Sequence, residues 1–498
     1  MEPLSTTVST GTVPPATLSL VRVDARERRT LQEQLVDQLR RMILEHALRP
    51  GQQLPSTRSL ADQLAVSRNT VLAVFDQLVS EGYLQGAHGS GTYVSAELPD
   101  RYLGVGPAGR AVRESRVAPS IAGNVSVDSP PGAIVVKPFR PCVPSVAEFP
   151  VETWERLRRR VLNRSGVRLL QYGAPAGDER LREQIAIYLR DYRGVRCVAD
   201  QIIVTAGAQQ AFNLIGRALG GPGAGIWFED PGYVDARLAF ENAGMTIVPQ
   251  GIDAEGLTIP AWRAGAPRVV YTTPSRQFPL GTTMSLARRM EWLRFAAQHD
   301  LWLVEDDYDS EFRYEGRPLP SLQGLMPEAR VVYVGTFSKS LYPSLRMGYV
   351  VAPAAHVRNF WEAKETADVH NPSVNQAVLA EFMREGHFVR HLRKMRALYA
   401  ERAETFAEAV AREWRGLLTL SSLGAGLNVA GWLASGDEAG YAKAAAEHGF
   451  QAIALGRYAV EAKLKPGFLF GFGAYTPAQI RRAAQELGAV WSRTARQG

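Results

Sequence analysis

The sequence predicts an α/β protein in two parts: a small winged helix-turn-helix at the amino terminus, and an α/β body with a mainly parallel sheet. Three observations predict this. Three helical patterns and two short strands fall within about the first 95 residues; a Pro- and Gly-rich stretch follows; and helical and strand patterns then alternate to the end. We therefore expect a head at residues 25–95, a flexible linker at residues 96–135 and the body at residues 136–498, since 498 residues exceed one ordinary core.

Composition excludes several classes of protein. Hydrophobic residues make up 46% of the chain, which is typical of a globular protein, and no apolar run approaches the ~18 residues of a membrane span. The first residues lack the basic and apolar regions of a secretory signal. Cys142 and Cys197 stand far apart without CxxC spacing, so we expect neither a disulfide framework nor a metal site. A cytoplasmic protein fits these features.

The net charge of +7 is a weak argument for nucleic-acid binding, because the amino-terminal part of the chain, where DNA binding is expected, has no excess of positive charge. Residues 1–96 hold nine Arg and no Lys against nine Asp and Glu. The expectation that this protein binds DNA depends on the pattern of the head, not on total charge.

The head begins with a helical stripe at residues 31–45, which Pro50 and Gly51 end. Ser56 and Ser67 are expected to cap a second and a third helix. The third helix is predicted to place five apolar side chains in the core: Val71, Leu72, Phe75, Leu78 and Val79. Strands at residues 83–84 and 92–94 around a glycine turn then complete a winged helix-turn-helix.

In such a unit the third helix enters the major groove by its amino-terminal end. The polar residues there are Ser67, Arg68, Asn69 and Thr70, and Arg58 of the second helix is placed to meet a phosphate. The alternative is an ordinary solvated helix start.

Four blocks of the head, in order, closely resemble the GntR-type DNA-binding domain: residues 48–58, 66–71, 81–84 and 89–94. The resemblance implies binding to a double-stranded DNA operator, with Gly89 and Gly91 in the wing. His88 departs from the family, which often has arginine there.

In the body, polar groups follow the predicted strands. A strand at residues 201–205 leads through Gly207, Ala208 and Gln209 into a helix, and free backbone N–H groups at such a turn can bind an anion. An ordinary strand-helix turn is the alternative. Tyr233 follows another strand and could stack on a planar ring, and a loop at residues 274–281 carries a guanidinium and an amide.

Two further strand ends have the side chains that most strongly indicate a functional site. Three consecutive acids, at residues 305–307, end a buried strand, where carboxylates are costly unless compensated, so function is the better expectation. The strand at residues 331–335 delivers Lys339, whose amine could condense with an aldehyde cofactor. Thr336, Ser338 and Arg346 are donors suited to a phosphate.

Residues 305–314 and 336–341 are the most specific segments by which the body resembles the fold-type I aminotransferases that use pyridoxal 5′-phosphate (PLP). Head and body together resemble the MocR/GabR-type transcriptional regulators over about residues 25–95 and 135–495.

The resemblance implies a role for each matching residue. Lys339 would be the Schiff-base lysine, Asp306 would pair with the pyridine nitrogen, Tyr308 and Gln277 would contact the ring hydroxyl, and Tyr233 would stack on the ring. The phosphate would lie among six residues: Gly207, Ala208, Gln209, Thr336, Ser338 and Arg346.

The resemblance also implies a homodimer, because Tyr172 matches a segment that reaches the phosphate of the neighbouring subunit. Arg457 is a candidate for binding an effector carboxylate, with a structural salt bridge as the alternative. Arg276 stands where the family commonly has histidine, and an extra cation there would favour an anionic ligand group.

Two functions remain open at this point. The first is a DNA-binding regulator whose body binds PLP and senses the cofactor, an amine or an amino acid. The second is a PLP-dependent aminotransferase with a residual head. The unbroken caps and wing glycines of the head favour the regulator.

Overall fold

The computed structural model describes residues 18, 21–24, 27, 29–87, 91–96, 98, 137–316, 320–326 and 328–497. The chain divides into two compact units, Met1–Ser120 and Ile121–Gly498. Nearly all of the predicted linker at residues 96–135 lies outside the described residues.

Between residues 29 and 87 the head has three helices, each begun by a hydroxyl cap. They are α1 (Leu31–Leu44), α2 (Thr57–Leu64) and α3 (Arg68–Ser80), capped by Thr30, Ser56 and Ser67. Each capping oxygen accepts a hydrogen bond from a free backbone N–H of the first turn, which is why these residues begin helices. Strands β1 (Leu84–Ala87) and β2 (Gly91–Val94) pair antiparallel as the wing.

The core of the head differs from the sequence expectation at α3. Val71, Phe75 and Leu78 are buried as predicted, but Leu72 and Val79 are 46% and 42% exposed. Val74 is buried instead, at 1% exposure. The helix buries a narrow stripe against α1 and α2, and Leu72 and Val79 lie beyond its edges.

The body alternates helices and strands over residues 137–351, as predicted. Its helices there are α4 (Val151–Ser165), α5 (Glu179–Arg193), α6 (Ala208–Ile215), α7 (Val234–Asn242), α8 (Leu286–His299) and α9 (Leu322–Leu325). Its strands there are β3 (Ile202–Thr205), β4 (Gly225–Asp230), β5 (Thr246–Asp253), β6 (Gly256–Leu257), β7 (Val269–Thr272), β8 (Trp302–Asp307), β9 (Val331–Thr336) and β10 (Gly348–Val351).

These strands form one eight-stranded sheet in the order β3-β10-β9-β8-β7-β4-β5-β6. The central pairs, from β5 through β4, β7 and β8 to β9, are parallel, whereas β10 and β6 run antiparallel to their neighbours. The central strands are buried and rich in Val and Ile because helices cover both faces. The predicted α/β body with a mainly parallel sheet is confirmed.

Helices α10 (Val357–Asp368), α11 (Ser373–Arg384) and the long α12 (His387–Glu413) lead to the carboxy-terminal subdomain. Its elements are β11 (Leu418–Leu420), β12 (Asn428–Leu433), α13 (Glu438–Glu447), β13 (Ile453–Ala454), β14 (Gly467–Gly471) and α14 (Pro477–Gln497). The four strands form an antiparallel sheet. Phe139, from the start of the described body, is fully buried among Phe406, Trp414, Phe450 and Phe470 of this subdomain.

Within the described ranges, no helix has the length and apolar character needed to cross a membrane. The same ranges contain no group of three or more His, Cys, Asp or Glu side chains arranged to hold a metal ion.

Two leucines of α3 allow a matched test of the head's core. Leu78→Ala should lower the free energy of unfolding of the head by about 2–5 kcal/mol, because it leaves a cavity at a fully buried position. Leu72→Ala, at an exposed position on the same helix, should change it by no more than about 0.5 kcal/mol. Amide hydrogen exchange of α1–α3 in the full chain measures both values, and equal losses would contradict the assigned helix face.

Candidate functional site

The candidate site is a cavity of about 170 Å³ at the carboxyl edge of the central sheet. Strands β4, β7, β8 and β9 are parallel, so the residues that follow each of them meet at this edge. The lining residues come from these strand ends, from the turn after β3 and from the start of the body: Cys142, Ala208, Gln209, Tyr233, Phe278, Asp306, Tyr308, Thr336, Ser338, Lys339, Pro343 and Arg346.

Lys339 lines this cavity, three residues after β9. Its Nζ donates a hydrogen bond to the backbone carbonyl of Cys142 at 2.6 Å. A half-buried amine held by a backbone carbonyl is available for condensation with an aldehyde.

One end of the cavity has the form of an anion cradle. Gly207 caps α6 with φ of +107°, a conformation that glycine adopts without strain. A Cβ atom at Gly207 would stand 3.4 Å from the guanidinium of Arg346, so the glycine keeps the space beside that cation open. Thr336 and Ser338 line the same cavity as Arg346, and the backbone N–H of Ser338 donates to the Thr336 hydroxyl at 3.1 Å. The Arg346 guanidinium, the hydroxyls of Thr336 and Ser338 and the amino terminus of α6 are therefore together available to bind an anion.

Asp306 also lines the cavity, 3% exposed near the end of β8. The Tyr271 hydroxyl donates to its Oδ2 at 2.6 Å. Burial raises the pKa of Asp306 from 3.8 to about 7, because the ionised carboxylate is desolvated and the hydrogen bond from Tyr271 offsets only part of that cost. A protonated ring nitrogen beside this carboxylate would supply the missing positive charge.

The neighbouring acids do not share this role, which corrects the expectation that all three strand-end acids are functional. Glu305 accepts from the backbone N–H groups of Leu322 and Gln323 and thereby holds the start of α9. Asp307 pairs with Arg193 at 2.6 Å. Alternation along a strand explains this: residues 305 and 307 face the opposite side of the sheet from residue 306.

Three aromatic rings form a wall of the cavity. Phe278 packs edge-on against Tyr233 and Tyr308, with ring centroids 5.3 Å and 5.8 Å away. Two residues predicted to contact the cofactor ring, Tyr308 and Tyr233, line the cavity together with Phe278 and Cys142, which were not among the predicted site residues. Phe278 could have been found from its place in the Pro- and Gly-containing loop after β7, whereas the segment around Cys142 has no sequence pattern that points to the site.

Gln277 is not brought to the cavity. It is 2% exposed, and its Nε2 donates to Glu229 at 3.3 Å and to the backbone carbonyl of Pro231 at 2.9 Å. Its amide therefore connects two strand-end loops, and the predicted contact with a ring hydroxyl has no support in this arrangement.

The two arginines predicted to bind an effector also lie outside the cavity lining. Arg276 is 4% exposed and lies behind Tyr308, where its guanidinium donates to the Tyr308 hydroxyl and to Asp309, both at 3.4 Å, and to the backbone carbonyl of Asn428. Arg457 is exposed in the short 3₁₀ turn Leu455–Tyr458.

Tyr172 lies away from the cavity of its own chain and is 89% exposed. Val167 and Leu170 nearby are 72% and 74% exposed. An apolar surface of this kind is typical of a protein contact.

In the head, Arg58, Arg68 and Asn69 are exposed at the amino-terminal ends of α2 and α3. The Ser67 hydroxyl accepts from the backbone N–H of Thr70 at 3.0 Å, so Ser67 begins the helix as well as standing at its exposed end. Gly91 has φ of +115° at the start of β2, and Gly89 lies outside the described residues.

Comparisons with known proteins agree with both parts of the chain. The model of the aminotransferase class I and II family matches residues 145–484, and that of the gntR family of bacterial regulatory proteins matches residues 31–94. The probable rhizopine catabolism regulatory protein MocR of Rhizobium meliloti is 36% identical over 462 residues, which cover 92% of this chain and 93% of the relative. The chain is a transcriptional regulator of the MocR/GabR type.

Other comparisons extend this result. The pyridoxine biosynthesis transcriptional regulator PdxR of Corynebacterium glutamicum is 31% identical over 471 residues, covering 94% of this chain and 97% of the relative. The α-aminoadipate aminotransferase LysN of Thermus thermophilus, solved with N-(5′-phosphopyridoxyl)-L-leucine, has a TM-score of 0.67 and 27% identity, covering 73% of this chain and 94% of that one. The body of this MocR/GabR-type regulator thus has a fold that implies PLP, and the lysine, the acid and the phosphate donors of the cavity fit that cofactor chemically.

The raised pKa of Asp306 has a measurable consequence. Because its folded-state pKa of about 7 exceeds the ordinary 3.8, ionised Asp306 lowers the free energy of unfolding above pH 7, and this penalty fades as pH falls towards 3.8. Asp306→Asn should therefore stabilise the cofactor-free body above pH 7, by an amount on the order of 1 kcal/mol or more, and give no gain near pH 4.

Thermal unfolding of the cofactor-free chain across this pH range measures the effect. Asp200→Asn is the control, because the Asp200 side chain is 86% exposed and should show little change at any pH. An Asp306→Asn gain that does not vary with pH would contradict the assigned cause.

Proposed function

We propose that the body of this regulator binds PLP through Lys339 and that occupancy of this site controls how the head binds its DNA operator. The observation that carries the proposal is the single cavity in which the Lys339 amine, the Asp306 carboxylate and the Gly207–Arg346 cradle all meet. The fold-level relation to PLP enzymes supports it.

Residues in and beside the cavity would divide the work of holding the cofactor. Lys339 would supply the amine for the Schiff base, Asp306 would keep the pyridine nitrogen protonated, Tyr308 would contact the ring hydroxyl and Tyr233 would stack on the ring. The phosphate would be held by Gly207, Ala208, Gln209, Thr336, Ser338 and Arg346. When bound, the cofactor supplies an aldehyde that captures amines and a ring that withdraws electrons.

The exposed surface at Val167, Leu170 and Tyr172 supports a homodimer in which Tyr172 reaches the phosphate of the neighbouring subunit. Side chains of this size, 72–89% exposed, gain from burial in such a contact. A dimer also suits the head, since two DNA-reading helices in fixed relation can recognise two half-sites.

The signal is the cofactor, an amine or amino acid bound with it, or both. Any such ligand must bind one arrangement of the heads more tightly than another, because equal affinity for both arrangements would shift neither population.

The cofactor site is tested by adding PLP to the full chain and recording the visible absorbance of the Schiff base. The wild type should develop the band, and Lys339→Ala should not, because it lacks the amine. Lys443→Ala, which removes an exposed lysine, should behave like the wild type. A band of equal strength in Lys339→Ala would disprove the assignment.

The coupling to DNA is tested with DNA from upstream of the gene and a scrambled fragment as control. The affinity of the full chain for the upstream DNA should differ with and without PLP.

The DNA-reading surface is tested by three variants of the head. Arg58→Gln should weaken binding to all sequences alike and reduce the salt slope by about 1, as expected for a lost phosphate contact. Asn69→Ala should instead relax discrimination at one base pair by about 1–3 kcal/mol. Arg41→Gln, which removes an exposed charge at the end of α1, is the control and should leave both unchanged. Unaltered salt slope and specificity in the first two variants would refute the proposed surface.

A further inference from the structure

The turn that leads into α6 is held by hydrogen bonds from two side chains. Oε1 of Gln210, in the first turn of α6, accepts from the backbone N–H of Ala206 at 2.8 Å. The Thr205 hydroxyl donates to the backbone carbonyl of Gly207 at 3.1 Å. Gly207 begins the helix without a side chain that could cap it. These two bonds therefore orient the turn, and with it the first N–H groups of α6, which have no acceptor within a helix.

The amide of Gln210 is held in turn by two residues of α10. Its Nε2 donates to Oδ2 of Asp368 at 2.8 Å, and Lys364 forms an ion pair with Oδ1 of the same carboxylate. Lys364 is fully buried; burial lowers the pKa of its amine, and the ion pair with Asp368 opposes that shift. One carboxylate thus connects a buried cation in α10 to the amide that holds the turn before α6.

A second polar contact joins the same two helices without reaching the turn. α10 packs on α6 through Phe360, which is fully buried in one apolar cluster with Phe212. Arg217, which follows the carboxyl end of α6, donates to the Thr366 hydroxyl of α10 at 3.2 Å. Of these two polar contacts, the one through Gln210 continues to the anion cradle and the one through Arg217 lies at the other end of α6.

We propose that Gln210, Asp368 and Lys364 are positioning residues for the phosphate of the cofactor. The inference rests on the proposed function, because PLP phosphate is the anion that the cradle would bind. Lys364 orients the Asp368 carboxylate, and the carboxylate orients the Gln210 amide. The amide holds the turn so that the N–H groups at the start of α6 stay available to the anion. The three side chains lie outside the cavity lining and act on the phosphate through the turn.

The role of Gln210 is tested by comparing the binding of two ligands to the full chain, PLP and pyridoxal, which lacks the phosphate. Gln210→Met keeps the length of the side chain and removes both hydrogen bonds of the amide. Its dissociation constant for PLP, measured by titration of the Schiff-base absorbance, should rise about tenfold, whereas that for pyridoxal should change by less than about twofold. Unchanged pyridoxal binding also shows that the cavity is folded. An equal loss for both ligands would overturn the inference.

The roles of the α10 residues are tested by two variants of that helix. Lys364→Met replaces the buried cation by an apolar side chain of similar length, and the Asp368 side chain is 34% exposed, so both positions tolerate the change. The dissociation constant for PLP should rise several-fold and that for pyridoxal should not. Thr366→Val is the matched control, because it breaks the other polar contact between the two helices and should bind both ligands like the wild type. Equal losses of PLP affinity in the two variants would contradict the assignment.

The titrations separate this inference from the proposed function. Absence of the Schiff-base band when PLP is added to the wild type would overturn the cofactor site, and the inference with it. A normal band in the wild type, together with an unchanged ratio of the PLP and pyridoxal dissociation constants in Gln210→Met, would overturn the inference alone.

Discussion

Burial of carboxylates at the carboxyl edge of the sheet is the constraint on which the body depends. An acid there loses its hydration, and each one is compensated differently. Glu229 accepts from the Thr272 and Thr273 hydroxyls and a backbone N–H, Glu305 accepts two backbone N–H groups, and Asp307 has Arg193. Within the described part of the chain, Asp306 accepts from the Tyr271 hydroxyl alone, and it is also the acid that lines the cavity. Of these four acids, the one with the fewest hydrogen-bond donors is therefore the one that faces the cavity.

The carboxyl edge of the eight-stranded sheet is also where the sheet is joined to the carboxy-terminal subdomain. Asp230, at the end of β4, accepts from the backbone N–H groups of residues 460–462 in the carboxy-terminal subdomain, at 2.7–2.8 Å. Asn428, at the start of β12, holds Cys142 on one side and accepts from Arg276 on the other. The bonds to Asp230 and from Arg276 are charge-assisted, and those between Asn428 and Cys142 are neutral. Together they fix the wall of the Lys339 cavity to the sheet, so the shape of the cavity depends on contacts between elements far apart in the sequence.

Most of the fold could be predicted from local pattern, and part of the site could not. Caps such as Ser56 and Ser67 mark helix starts by chemistry within four residues, and strand ends place Lys339 and Asp306 because parallel strands share an edge. The failures are long-range. The engagement of Gln277 with Glu229, across 48 residues, and the position of Cys142 beside Lys339, across 197, depend on tertiary packing that no local period encodes. The exposure of Leu72 is a smaller case of the same limit.

The burial of Phe139 in the carboxy-terminal aromatic core has a mechanical consequence. Phe139 is the third described residue of the body, so the chain that arrives from the head is anchored there, fully buried among four aromatic rings. Three residues later Cys142 meets the lysine amine. Tension on the chain that precedes Phe139 is therefore borne by this anchor, and Cys142, which is hydrogen-bonded to Lys339, follows the anchor by fewer residues than one turn of an α-helix contains.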